Sequence, residues 1–247
     1  MNGKIWFIIP VYNRKGPITS LLECIHKQTY KNYHVIVVDH GQSTVFDEYE
    51  WKIRSDGLFT SCNENSNTKI TRIRDLPKSF HWTAAINNGI KYLQSEIHLS
   101  SDDYIMFNND DTIFQKNYLQ AMMDCANKYK KTIIGSICAE SGSDKILYAN
   151  LPLNKVKATF EYPYFGTKIS NLPNKELYSD VLKGRNAMSP ANVFKDIGLL
   201  AEKKLPQNRA DHEISFRARK FGYKIVIATN AGNIRSEEHT SELQSQK

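Results

Sequence analysis

The run KIWFIIPVYNR, residues 4–14, decides the reading of the chain. Ile5 to Ile9 is apolar without alternation, as in a strand buried on both faces, and Pro10 ends the run. Gly16-Pro17 then opens a segment in which Ile18, Leu21, Leu22 and Ile25 recur at i, i+3, i+4 and i+7, one face of a helix. Next comes YHVIVVDHGQST, residues 33–44, whose β-branched stretch Tyr33 to Val38 predicts a second buried strand ending at Asp39. Strand, helix and strand of this kind make a βαβ unit, and hence a parallel sheet with helices on both faces.

Outward from this unit, residues 41–67 read as polar and irregular, and Lys69 to Ile73 as a strand. Trp82, Ala85, Ile86, Gly89 and Leu93 follow helical spacing, and Tyr104 to Phe107 forms a strand that runs into NNDDT. Leu119, Met122, Met123 and Ala126 mark another helix. Thr132 to Ala139 and Lys145 to Ala149 flank the turn SGSD and predict a hairpin. Residues 151–178, with Pro152, Pro163, Pro173 and many aromatics, read as loop or edge strand. Ile214, Ala218 and Phe221 line a last helix closed by Gly222, and Tyr223 to Ala228 is a last strand. No repeat or linker divides the chain.

The chain has 247 residues, 40% hydrophobic and 24% charged, a globular composition that excludes a disordered, collagenous or coiled-coil protein. The run Ile5 to Ile9 is far short of the ~20 apolar residues of a membrane helix, and no signal peptide is expected before so early a strand. Cys24, Cys62, Cys125 and Cys138 lack paired spacing and read as reduced thiols of a cytosolic protein. The net charge of +7 calls for anionic partners: nucleic acid, phosphorylated small molecules or an acidic membrane face. Basic residues are dispersed, with no zinc-finger or RNP pattern, which argues against nucleic acid. Residues 235–245, RSEEHTSELQS, read as the translation of a sequencing-library adaptor, so 235–247 is expected to be an artefact tail.

In open α/β sheets, ligands bind beyond the C-terminal strand ends. Three polar clusters lie there: PVYNR, DHGQST and NNDDT. No GxGxxG or Walker motif accompanies them. Asp110 and Asp111 suit magnesium or manganese, or else cap a helix beginning near Phe114. Asp39 can accept an N–H from a heterocyclic base, or serve as an ordinary turn aspartate; Tyr12 can stack on that base, or pack inside. Asp211 and Glu213 open a helix carrying Arg217, Arg219 and Lys220, where acids are also electrostatically content.

Taken in order, FIIPVYNR, VIVVDHGQST, FHWTAAINNGI, DDYIMFNNDDT and KGRNAMSPANVFKDIGLL with RADHEISFRARKFGYKIVI resemble the motifs of glycosyltransferase family 2, over about residues 4–233. The departures are His40 and Gln42 in the second motif and Asn109 in the first acidic position of the fourth. The resemblance implies the GT-A fold: an α/β domain over 1–234 with a mostly parallel central sheet flanked by helices and a small mixed acceptor-side sheet. Residues 1–111 would be the nucleotide-binding half and 112–234 the acceptor-side half.

It also implies inverting transfer from a uridine- or thymidine-diphosphate sugar to the hydroxyl of a saccharide or lipid-linked acceptor, in making polysaccharide or glycoconjugate. Pro10, Tyr12, Asn13, Asp39, His81 and Asp110 would bind the nucleotide. Asp111 would hold a divalent metal, Mn2+ or Mg2+, and Asp211 would be the general base. Gly184, Arg185 and Glu213 would face the acceptor. A histidine metal ligand common in the family would fall near position 235, at the start of the adaptor-like tail. The expected place is the cytoplasm, with basic charge available for peripheral contact with an anionic membrane face. The rivals are a degenerate, non-catalytic nucleotide-sugar binder and a sugar-phosphate nucleotidyltransferase. The second would need a glycine-rich loop where this chain has PVYNRKG.

Overall fold

The computed structural model describes residues 3–41, 51–53, 59–62, 69–73 and 81–235. Strand β1 (Ile5–Val11), helix α1 (Lys15–His26) and strand β2 (Tyr33–Asp39) form the expected βαβ unit. They are followed by β3 (Trp51–Ile53), β4 (Phe59–Cys62), β5 (Lys69–Ile73), α2 (Trp82–Glu96) and β6 (Tyr104–Phe107). Then come β7 (Thr112–Phe114), α3 (Tyr118–Lys128), β8 (Thr132–Ala139), β9 (Ile146–Tyr148), β10 (Leu153–Asn154) and β11 (Thr159–Phe160). The chain continues with β12 (Leu177–Tyr178), β13 (Ala187–Pro190), α4 (Val193–Ile197), α5 (Ala210–Lys220) and β14 (Lys224–Arg235).

One large sheet runs in the order β12-β14-β8-β13-β6-β1-β2-β5-β4-β3, with β7 on β14 and β9 on β8, while β10 and β11 form a separate two-stranded sheet. The centre is parallel: β1 pairs with β2 and β6, and β2 with β5. On the far side β14 pairs in parallel with β8, and β13 is inserted antiparallel beside β6. The strands after residue 111, other than β10 and β11, thus continue the central sheet, and the small separate sheet is the β10–β11 hairpin.

Strand alternation sends β1 into two cores. Ile5, Phe7 and Ile9 pack with Leu21, Leu22 and Ile25 of α1 and with Tyr118 and Met122 of α3. Trp6 and Ile8 pack on the other face with Ile86 and Ile90 of α2 and Ile214 of α5. Ile5, Phe7, Ile8 and Ile9 are fully buried, each contributing about 1.5–3 kcal/mol of hydrophobic stabilisation.

Four expectations are corrected. Residues 41–67 contain the hairpin β3–β4, which pairs onto β5. No helix begins near Phe114: the β-branched Thr112 and Ile113 form β7, paired with residues 233–235, and α3 starts at Tyr118. The last strand does not stop at Ala228 but continues past a register shift to Arg235. Helix α5 ends at Lys220, leaving Phe221 half exposed and outside the core. The artefact expectation falls mostly on residues 236–247, outside the described residues. Among the described residues no helix is long and apolar enough to cross a membrane, and Cys24, Cys125 and Cys138 are free thiols.

Helix α2 approaches β1 closely through Gly89, where a Cβ would lie 2.5 Å from Cγ2 of Ile8. Ile8 is fully buried, so it has little room to move. Gly89→Val is therefore expected to destabilise the protein by about 2–3 kcal/mol through overpacking, read as a lower midpoint in urea unfolding.

Candidate functional site

The register of the central strands brings the three polar clusters to one edge. Val11 pairs with Asp39, and Ile8 with Phe107, so the chain leaves β1, β2 and β6 on the same side. Beyond β1, Tyr12 is 66% exposed and Asn13 adopts a left-handed backbone conformation at φ 50°. Arg14 donates from Nη1 to Oδ1 of Asp110 at 2.9 Å.

Asp39 is 1% exposed, not a solvated turn residue. Arg72 of β5, 2% exposed, donates to its Oδ2 from Nε at 2.9 Å and also from Nη2. Among the described residues Oδ1 accepts the Gly41 N–H at 3.0 Å, and a carboxylate oxygen has a second lone pair with which to accept. The neighbouring His40 is partly buried, which lowers its pKa from 6.5 to about 4.

Beyond β6, Asn109 accepts the indole N–H of Trp82 at 3.0 Å, while Asp110 and Asp111 are both buried. Nη2 of Arg185 lies 3.2 and 3.3 Å from the two carboxylate oxygens of Asp111. Arg185 follows Gly184, whose N–H donates to Oδ2 of Asp211 at 2.7 Å. Oδ1 of Asp211 accepts the N–H of His212 at 2.9 Å. Gly184 is obligatory there: a Cβ would sit 2.7 Å from Cη2 of Trp82 and 3.2 Å from Cβ of Asp211. Two successive residues thus bridge the acids after β6 to the acid that opens α5.

A cleft of about 470 Å³ lies against this bridge. Asn109, Gly184, Arg185 and Asp211 line it, together with Trp82, Tyr148, Tyr162, Phe165, Lys183 and Arg209. The structure therefore gathers four of the residues singled out in the sequence on one cleft, and joins Asp111 to it through Arg185. Pro10, Tyr12, Asn13 and Asp39 form the neighbouring edge, linked to the cleft side by Arg14 and Asp110. Two residues stand apart from the cleft lining. His81 is exposed at the start of α2 without a capping side-chain bond. The Glu213 carboxylate is forked by Arg217 at 2.6 and 2.9 Å, and Arg217 also binds the carbonyls of Ile197 and Leu199, tying α5 to the end of α4.

Sequence reasoning missed Arg72, Arg14, Lys183, Arg209 and the aromatic pair Tyr162 and Phe165. A charged residue inside the apolar strand KITRI was the available signal for Arg72. Tyr162 and Phe165 lie in a segment that reads as loop or edge strand.

A family model described as glycosyl transferase family 2 matches residues 6–180. An uncharacterized glycosyltransferase of Rickettsia conorii is 26% identical over 213 residues, which cover 85% of this chain and 30% of that protein. The amylovoran biosynthesis glycosyltransferase AmsB of Erwinia amylovora is 29% identical over 113 residues, covering 46% of this chain and 32% of that protein. The chain thus spans about a third of the length of these relatives. Among solved structures, S. aureus TarS superposes with a TM-score of 0.60 at 15% identity, covering 94% of this chain and 36% of that one. GalNAc-T7 with UDP, GalNAc and Mn2+ gives 0.65 at 11% identity, covering 94% and 43%. At these identities the structural likeness shows the GT-A fold alone.

Removing Arg72 leaves the Asp39 charge buried and uncompensated, so Arg72→Met is expected to cost about 3–5 kcal/mol in denaturant unfolding, and adding Asp39→Asn to recover part of it. His40 binds its proton less tightly when folded than when unfolded. Its contribution to stability is therefore complete above pH ~6.5 and is lost as the pH falls toward 4. The melting temperature of His40→Gln is expected to decline less steeply across that window than that of the unaltered protein.

Proposed function

The chain belongs to glycosyl transferase family 2, and on that premise we propose that it moves a sugar from a uridine- or thymidine-diphosphate donor to an acceptor hydroxyl, with inversion. Polysaccharide or glycoconjugate synthesis is the proposed setting, in keeping with the amylovoran relative. The observation that carries this reading is the Arg185-Gly184 bridge, which sets Asp111 and Asp211 on either side of two consecutive residues.

In this reading the exposed Tyr12 ring lies against the base, and Oδ1 of Asp39 accepts the base N–H, with Arg72 fixing the carboxylate from its other oxygen. Asp111, with Asp110 beside it, would hold a divalent cation. The donor set fits such an ion: two adjacent buried carboxylates, each now answered by a guanidinium, suffice when diphosphate oxygens and water complete the shell. Among the described residues no group of three or more His, Cys, Asp or Glu gathers into a cage, and Asn109 is taken up by Trp82. When bound, the ion supplies positive charge that stabilises the departing diphosphate. Arg235 pairs with Thr112, next to Asp111, so the position at which the family resemblance puts a histidine lies beside these acids in the sheet.

Asp211 accepts the acceptor hydroxyl proton as that oxygen attacks the anomeric carbon and the bond to the diphosphate breaks. The two backbone N–H groups on its oxygens hold the carboxylate in place. One observation favours the rival, a binder without turnover: an amide stands at the first acidic position and is already engaged.

Release of free nucleotide from a panel of uridine- and thymidine-diphosphate sugars with Mn2+ separates the two. A transferase releases nucleotide slowly to water, and Asp211→Asn is expected to lower that rate about 10²–10⁴-fold while nucleotide binding by calorimetry is kept. Binding without release from any donor would establish the rival, and unchanged turnover in Asp211→Asn would remove the proposed base.

A further inference from the structure

The cleft holds more charge and more aromatic surface than the donor reading uses. Arg14 and Arg185 answer the two acids after β6. Lys183 and Arg209 also line or border the cleft, and among the described residues neither makes an ion pair. Lys183 precedes Gly184, whose N–H binds Asp211, and Arg209 is two residues before Asp211, so both cations stand on the side of the proposed base. Arg209 is held in the left-handed region at φ 65°, a conformation that a side-chain-bearing residue adopts only when its surroundings impose it. The Lys183 ammonium lies 5.7 Å from the centroid of Tyr162. Tyr162 and Phe165 are 44% and 66% exposed, large rings left open to solvent at the cleft. Their segment is anchored by Phe160, which packs edge-on against His212 at 4.8 Å and stacks near Phe216 of α5.

Exposed rings offer flat apolar faces to the C–H face of a pyranose, and two cations against the one carboxylate of Asp211 in this part of the cleft leave an excess of positive charge that attracts anions. We propose that this side of the cleft is an acceptor subsite for a saccharide carrying a phosphate or carboxylate group. Tyr162 and Phe165 take the sugar ring, Lys183 and Arg209 take the charge, and a hydroxyl is left facing Asp211. This rests on the glycosyl-transfer reading above and adds the substrate class on its acceptor side.

Calorimetric titration with methyl glucoside, methyl glucuronide, methyl glucoside 6-phosphate and inorganic phosphate, all in saturating UDP, tests it without turnover. A charged glucoside is expected to bind at least tenfold more tightly than methyl glucoside, the tighter of the two identifying phosphate or carboxylate. The double variant Lys183→Gln/Arg209→Gln is expected to bring that ratio within about twofold. Phe165→Ala, at an exposed position, is expected to weaken the charged glucoside and leave inorganic phosphate as it was. Equal binding of neutral and charged glucosides overturns the proposal. So does inorganic phosphate binding as tightly as the sugar phosphate, or a charged glucoside that binds in a parallel titration without UDP and not in saturating UDP, which would return the cations to the donor diphosphate. Because binding is read apart from nucleotide release, loss of the transferase reading and loss of the subsite give different results.

Discussion

Strand β1 lies between β2 and β6 and runs parallel to both, and the site depends on that arrangement. Parallel neighbours deliver their C-terminal ends to one edge, so Tyr12, Asp39 and the acids after Phe107 meet there although far apart in the chain. The drive comes from β1 itself, whose alternate residues fill two separate cores. The same burial creates an electrostatic problem at the edge, because Asp39, Asp110 and Asp111 are carried out of water. Each is answered by an arginine from another element: Arg72, Arg14 and Arg185. A buried carboxylate needs a cation or several N–H donors to offset its lost hydration, and at this edge arginines supply that compensation.

Much of this was legible because its signals are local. The helical face Ile18, Leu21, Leu22 and Ile25 is the buried face of α1, and the boundaries of β5, β6 and β8 follow their runs of β-branched, aromatic and other apolar residues. What escaped the sequence depends on distant partners. Thr112–Phe114 is too short to declare itself and becomes a strand through pairing with residues 233–235. Ala187–Pro190 carries small residues and a proline, and is a strand because β6 offers it an edge. The arginine partners were hidden for the same reason: Arg72 is 33 residues from Asp39, and no local pattern links them. Asp211, by contrast, stands out by its place in a motif, and the structure adds that its carboxylate accepts the Gly184 N–H.

Of the five positive-φ non-glycine residues among those described, Asn13, Asn186 and Arg209 flank the site, while Lys131 and Ala158 lie at bends or turns elsewhere. Asn186 is fully buried at φ 63°, and its N–H reaches the carbonyl of Phe107 at 2.8 Å. That turn converts the approach of Arg185 into the antiparallel register of β13. Strain of this sort survives where the surroundings over-determine it, which is the condition for rigid placement of reacting groups.

Gly184 and Arg185 are neighbours in the chain, so one short stretch of backbone carries both the N–H that holds Asp211 and the Cα from which the guanidinium reaches Asp111. A backbone displacement at Gly184 would disturb both contacts together. The spacing of Asp111 and Asp211 thus rests on two residues of backbone rather than on a moving lid.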